Sequence, residues 1–319
     1  MSRCEPRCLQ RAQRALSLSI LAALIGLGVS GCSIKRYAIH QLGDALASSG
    51  STFSSDNDPE LVRDALPFSL KLIESLLAES PQHKGLLLAA TSGFTQYGYA
   101  FVQMDADRVE DEDVARAEAL RDRARKLYLR SREYGLRGLE VEHPGFQAAL
   151  RANAVGAVQG LTKNDVPLLF WTASAWGAAI SVSKNHPDLI ADQVLVEAMV
   201  DRALELDPDY DMGAIHALLI SYEMARQGGD GDPAERSRYH FEKAVELSHG
   251  HLAGPYVSYA EAVLVQKQDL AGFKVLLDKA LAVQVDEAPS VRLVNLIMQE
   301  RARWLLSRLD ELFLIPSEP

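Results

Sequence analysis

Cysteine is nearly missing from this chain: it occurs at positions 4, 8 and 32 and nowhere after. The body therefore carries no pair for a disulfide, no thiolate metal site and no thiol nucleophile. Aromatic residues make up 7% of the sequence. Val and Ile are sparse outside helix-like patterns and no convincing alternating strand appears, which argues against an all-β fold. Positive charge is also short, with 33 Lys and Arg against 43 Asp and Glu. A face for nucleic acid needs the opposite balance. Gly-x-Gly-x-x-Gly, a phosphate-binding loop, His-Glu-x-x-His and Gly-x-Ser-x-Gly are all absent, so the commonest cofactor and hydrolase signatures have no residues to stand on. His249 and His251 flank Gly250 without further ligands and read as a solvated pair at a helix end. Asp56, Asn57 and Asp58 start like a calcium loop but lack its glycine and closing glutamate. The expectation is a protein that is not an enzyme, with no catalytic residue, cofactor or metal.

What the sequence does contain is helical periodicity punctuated by proline. Ala203–Tyr210 (ALELDPDY) reads as one helix ending and the next beginning, with Asp207 as cap and Pro208 at the first helical position. Ser80-Pro81 and His143-Pro144 repeat the junction, and Gly254-Pro255 is a looser copy, at gaps of 63, 64 and 47 residues between prolines. Each gap holds one or two helical hairpins. The expected fold is all-α: stacked antiparallel hairpins in a degenerate tetratricopeptide-like array. Val200, Ala203 and Leu206, and again Phe241, Ala244 and Leu247, match the second helix of such a repeat, while its first-helix Trp, Leu and Gly positions are not met cleanly.

Residues 1–14 are arginine-rich and 15–29 are apolar. Fifteen helical residues span roughly 22 Å, short of a ~30 Å hydrocarbon core, so the stretch reads as a secretory signal. Val29-Ser30-Gly31-Cys32 resembles the bacterial lipobox, in which the cysteine becomes the acylated mature N-terminus; the alternative is an uncleaved anchor. Ser33 next to it resembles the sorting pattern for the outer membrane, and the lipoprotein would face the periplasm. Removing four arginines and one glutamate with residues 1–31 leaves 29 basic and 42 acidic residues, a charge of -13. The expected organisation is a signal peptide at 1–31, a lipidated N-terminus and tether at 32–57, a helical-repeat domain at 58–314 and a tail at 315–319.

Along the body, 34–47 allows a short amphipathic helix, and Ser48–Ser55 reads as a spacer or a packed loop. Asp58-Pro59 opens a helix with Leu61, Ala65, Phe68, Leu72, Leu76 and Leu77 as its apolar face, kinked or split at Pro67. A second helix carries Leu86, Leu87, Ala90, Phe94, Tyr97 and Phe101. The acidic run Asp105–Asp113 before a basic stretch is either a docking patch or a turn leading into a helix that ends near Glu142. Residues 145–160 form a small-residue helix suited to close packing. Pro167 starts the next, in which Trp171 and Trp176, five apart, point about 140° apart: one in the core with the other on a groove, or both in the core. Gly228–Pro233 is a loop, and helices over 252–268, 270–283 and 290–312 complete the chain.

Several stretches together resemble the T-component lipoproteins of tripartite ATP-independent periplasmic (TRAP) transporters. They are Asp58–Leu77, Thr95–Val102, Val166–Trp171 through Ala175-Trp176-Gly177, Leu204–Tyr210 and Tyr239–Leu247. The resemblance implies an all-helical lipoprotein, a homotrimer, whose partner is the periplasmic solute-binding protein of the transporter, docked so that solute passes between them. It implies no catalytic residues. Tyr97, Tyr99, Trp171 and Trp176, aromatic and within the matching stretches, become candidates for a groove or partner face. The competing reading is a general helical-repeat scaffold in envelope assembly.

Overall fold

A computed structural model describes residues 41–45, 50–183, 185–226 and 228–314. The expected signal sequence, Cys32, most of the expected tether and residues 315–319 lie outside the described residues. Among those described there is no strand, and the fold is all-α. The helices are α1 (Gly50–Ser54), α2 (Pro59–Glu79), α3 (Lys84–Gly98), α4 (Met104–Val109), α5 (Val114–Glu142), α6 (Phe146–Ala152), α7 (Ala154–Val158), α8 (Val166–Ser181), α9 (Pro187–Ile190), α10 (Gln193–Leu206), α11 (Tyr210–Ala225), α12 (Pro233–Leu247), α13 (Gly254–Tyr259), α14 (Leu270–Ala282), α15 (Arg292–Leu306) and α16 (Leu309–Leu312). None is long and apolar enough to cross a membrane.

An aspartate caps four of the helices it precedes, whereas Asp165, Asp192 and Asp209 ahead of α8, α10 and α11 make no such bond. Asp58 accepts from the Leu61 N–H at 3.0 Å, and Asp113, Asp232 and Asp269 do the same for α5, α12 and α14. The other proline junctions behave differently from the sequence expectation. Ser80, His143 and Asp207 each close the preceding helix, and their following prolines sit in turns. His83 caps α3 instead, its Nδ1 accepting from the Leu86 N–H at 3.3 Å. Asp207 points its carboxylate at Lys163 Nζ, 3.0 Å away. Helix α2 runs through Pro67 without a break, and its buried side is Val62, Leu70, Ile73, Leu76 and Leu77. Leu61 and Phe68, expected inside, face solvent, with Phe68 74% exposed. The small-residue helix is two short helices broken at Asn153; Phe146, Leu150 and Val158 are buried, whereas Ala148, Ala149 and Ala152 are exposed.

Among the described residues the apolar side chains gather in three clusters: α2, α3 and α5; the end of α5 through α11; and α11 through α15. Successive long helices pack on one another, α2 on α3, α3 on α5, α5 on α8 and α8 on α10. The array also closes on itself. Helix α1 packs on α15, Arg292 donates to the Ser55 carbonyl at 3.0 Å, and Ile297 of α15 lies in the same cluster as Leu86 and Phe94. Residues 50–55, read above as spacer or packed loop, are thus part of the packed body.

Helix α11 begins with a backbone anomaly. Asp211, Met212 and Gly213 have φ of 45°, 57° and 84°, a left-handed turn that side chains other than glycine's oppose. Only from Ala214 does the right-handed helix run. At Gly213 the left-handed φ combines with close approach: a Cβ there would stand 3.1 Å from Leu247 Cβ and 3.3 Å from Ala244 Cα of α12. Gly213→Ala should therefore lower unfolding stability by about 1–3 kcal/mol, measured by urea titration. An unchanged midpoint and slope would show that the turn carries no strain.

Candidate functional site

Two helices widen into π-helical turns, Tyr99–Gln103 between α3 and α4 and Ala260–Leu264 after α13. Such bulges are rare and cluster at functional sites. One arginine ties the second bulge to α4, the helix that follows the first. Arg301 of α15 is 6% exposed. Its Nη1 donates to Asp107 of α4 at 2.9 Å, and its Nε (3.3 Å) and Nη2 donate to Glu261 on the second bulge. The guanidinium also lies 4.2 Å from the ring centre of Trp304. Burial opposes the charged guanidinium, but Glu261, Tyr99 and Asp107 around it together more than offset this and hold it protonated. Burial raises the Asp107 carboxyl above its usual range in spite of Arg301.

The acidic run of residues 105–113 is helical as far as Val109, forms the expected turn into α5 from Glu110, and is not a free patch. Asp105 and Asp107 are helical, and the run is a row of attachment points. Asp105 takes both terminal nitrogens of Arg63 at 2.6 and 3.1 Å. Arg108 pairs with Glu300 at 3.0 Å, and Asp111 with Arg308 at 2.7 Å. Asp107 also lines a cleft of about 710 Å³, with Gln103, Glu110, Arg121, Ser183 and His186 on its other walls.

The four aromatic candidates do not converge on one surface. Tyr99 lies on the first bulge, next to this ionic cluster. It is 37% exposed, yet the protein around its hydroxyl pushes its pKa up to about 12, with burial the leading cause. Tyr97 is buried beside Phe101, their ring centres 5.7 Å apart. Trp176 is 1% exposed, and the Arg132 guanidinium covers its ring at 4.7 Å, so it offers a partner no area. Trp171 is half-buried and packs edge-on to Phe170, which in turn meets Tyr210 at 5.5 Å. Sequence reasoning missed Arg301, Asp107 and Glu261. A signal existed for Arg301: it falls four residues after Ile297 and four before Leu305, on the apolar stripe of α15, where a charge needs a partner.

The nearest approach to a metal-ligand set among the described residues is Glu142, His143 and Asp165. Lys84 already stands 2.5 Å from Glu142 and 4.0 Å from Asp165. Asp165 is further engaged by His143 at 3.1 Å and by the Thr162 N–H and hydroxyl at 2.9 and 3.0 Å. These contacts account for the cluster as a junction between α5 and α8.

The profile of the TRAP transporter T-component family matches residues 55–313, nearly the whole described body. The chain belongs to that family. It is also similar to an uncharacterized protein of Treponema pallidum (strain Nichols), 32% identical over 307 residues that cover 89% of this chain and 94% of the relative. The family places the chain among components of TRAP transporters. In this T-component, the Arg301 cluster joins α4 to the C-terminal helices of the matched region.

Replacing Arg301 by Met should remove the cation from two carboxylates while keeping much of the side-chain volume. The expected loss is roughly 2–3 kcal/mol, below the usual cost of breaking a fully buried pair because the Glu261 side chain is 36% exposed. Urea unfolding measures it. A variant as stable as the parent would mean that the pairs contribute nothing.

Proposed function

We propose that this T-component is a non-catalytic lipoprotein, anchored through lipid on Cys32 in the outer membrane and facing the periplasm. It assembles as a homotrimer, docks the solute-binding protein of a TRAP transporter and assists solute transfer. The observation that carries the reading is the family match across residues 55–313. Two features support a protein partner. Leu61 and Phe68 are seven residues apart on α2, so they lie along one exposed face in one of the stretches that resemble the family. Tyr99 and Trp171 keep accessible surface and combine apolar area with a polar tip, as interface residues commonly do.

The test is affinity capture from an envelope extract with the body from Ser33 onward as bait, against a helical-repeat lipoprotein of similar charge. Selective recovery of a periplasmic solute-binding protein is expected. Phe68→Ser should cut that recovery at least several-fold with little change in stability, because the ring packs on almost nothing in the folded chain. Recovery of assembly factors alone would replace the transport reading with the scaffold.

A further inference from the structure

Helices α11 and α12 meet along a line of buried polar contacts one helical turn apart. His216 faces His240 with the two Nδ1 atoms 2.8 Å apart. The Ser237 hydroxyl donates to the Ile220 carbonyl at 2.6 Å. Glu223 accepts from Arg236 Nε at 2.6 Å and Arg226 Nη1 at 2.8 Å. Pairings of 216 with 240, 220 with 237 and 223 with 236 also show that the two helices run antiparallel. The line begins three residues after the left-handed turn at 211–213, where α11 is held against Ala244 and Leu247.

We propose that the His216–His240 pair is an acid-released latch between α11 and α12. An Nδ1-to-Nδ1 hydrogen bond needs one nitrogen protonated and the other bare, which two neutral rings of opposite tautomer supply. A proton on the accepting nitrogen sets two N–H groups against each other and breaks the bond. A proton elsewhere on the pair places a charge in a buried site. The charged groups facing the pair add to this. Lys243 on α12 and Arg226 and Arg236 at the far end oppose a further cation, while Asp209 and Glu223 favour it and are outweighed. Burial is the leading cause that holds both imidazoles below their ordinary range, His240 at about 4. The latch has a surface readout, since the exposed Tyr239 ring stands edge-on to His216 at 6.1 Å and to His240 at 5.2 Å.

The direction of the pH effect follows. An opened hairpin exposes imidazoles of ordinary pKa near 6.5, which take up protons before the closed pair does. Opening is therefore favoured as pH falls from about 6.5 towards 4, and the pair contributes its full stability only above that window. For His240 alone, the closed value of about 4 predicts that the opening equilibrium rises roughly twentyfold between pH 7 and pH 5. Most carboxylates remain ionised over that range.

Hydrogen exchange of the full mature chain, corrected for intrinsic rates, tests this. The expected result is a loss of amide protection on that scale in α11 and α12 between pH 7 and pH 5, with α3 and α5 unchanged. His240→Asn, which can still hydrogen-bond His216 but does not titrate, should abolish most of the loss. Equal loss across all helices, no loss, or loss persisting in the variant would each overturn the latch. Should the variant not fold, an NMR titration of the imidazole resonances in the unmodified chain decides it. Both rings titrating near 6.5 overturns the latch, and depressed, coupled titration supports it.

Discussion

The closure of this molecule depends on one guanidinium. Arg301 sits on the last long helix, and its two carboxylate partners come from the two halves of the chain, Asp107 from the first and Glu261 from the second. A buried cation needs both charge and hydrogen-bond partners, and here neither carboxylate alone would supply enough acceptors. The guanidinium fork fixes the relative position of α4 and the second π-turn, which a point charge such as lysine would not do. The π-turns themselves fit this demand, because an extra residue per turn shifts the register of the side chains that follow it. Asp105, Arg108 and Asp111 extend the same seam with weaker, more exposed pairs.

A helical-repeat array is ordinarily open-ended, with each unit touching only its neighbours. This chain keeps the neighbour-on-neighbour packing and adds a return contact, with α1 and α2 against α15. The T-component family match spans the same region. Polar groups, beside apolar ones such as Leu189 and Ile297, mark places where the clusters join. The Arg301 seam lies between first and last helices, the Lys84–Glu142–Asp165 junction between α5 and α8, and the histidine line between α11 and α12.

Much of the helical content was legible because it rests on local rules. The acid before α2 capped as expected at Asp58, and the apolar spacing of Leu86, Leu87, Ala90 and Phe94 became core. The failures share one cause, competition from tertiary contacts. Asp207 was expected to cap a helix, but Lys163 from a distant turn claims its carboxylate. Phe68 obeys helical spacing with buried neighbours, yet faces outward because α3 and α15 take up the other side of α2. Trp171 and Trp176 differ in burial as their angular separation suggested, but no sequence rule says which one is covered. The left-handed turn at Asp211 and Met212 carries no glycine at those positions to announce it. The ionic seam was illegible for a simpler reason: its members are 154 and 40 residues apart along the chain from Asp107 to Glu261 to Arg301.

The return of α1 onto α15 has a mechanical consequence. A pull on the chain ahead of the body is met at residues 41–45, where Asp44 stands 3.4 Å from His83, and at a helix that is wedged against the far end of the sequence, with Arg292 gripping the Ser55 carbonyl. The load is then divided between both termini and borne in shear across several contacts at once. An open array pulled from the same point would instead peel away one hairpin after another, at the force of the weakest.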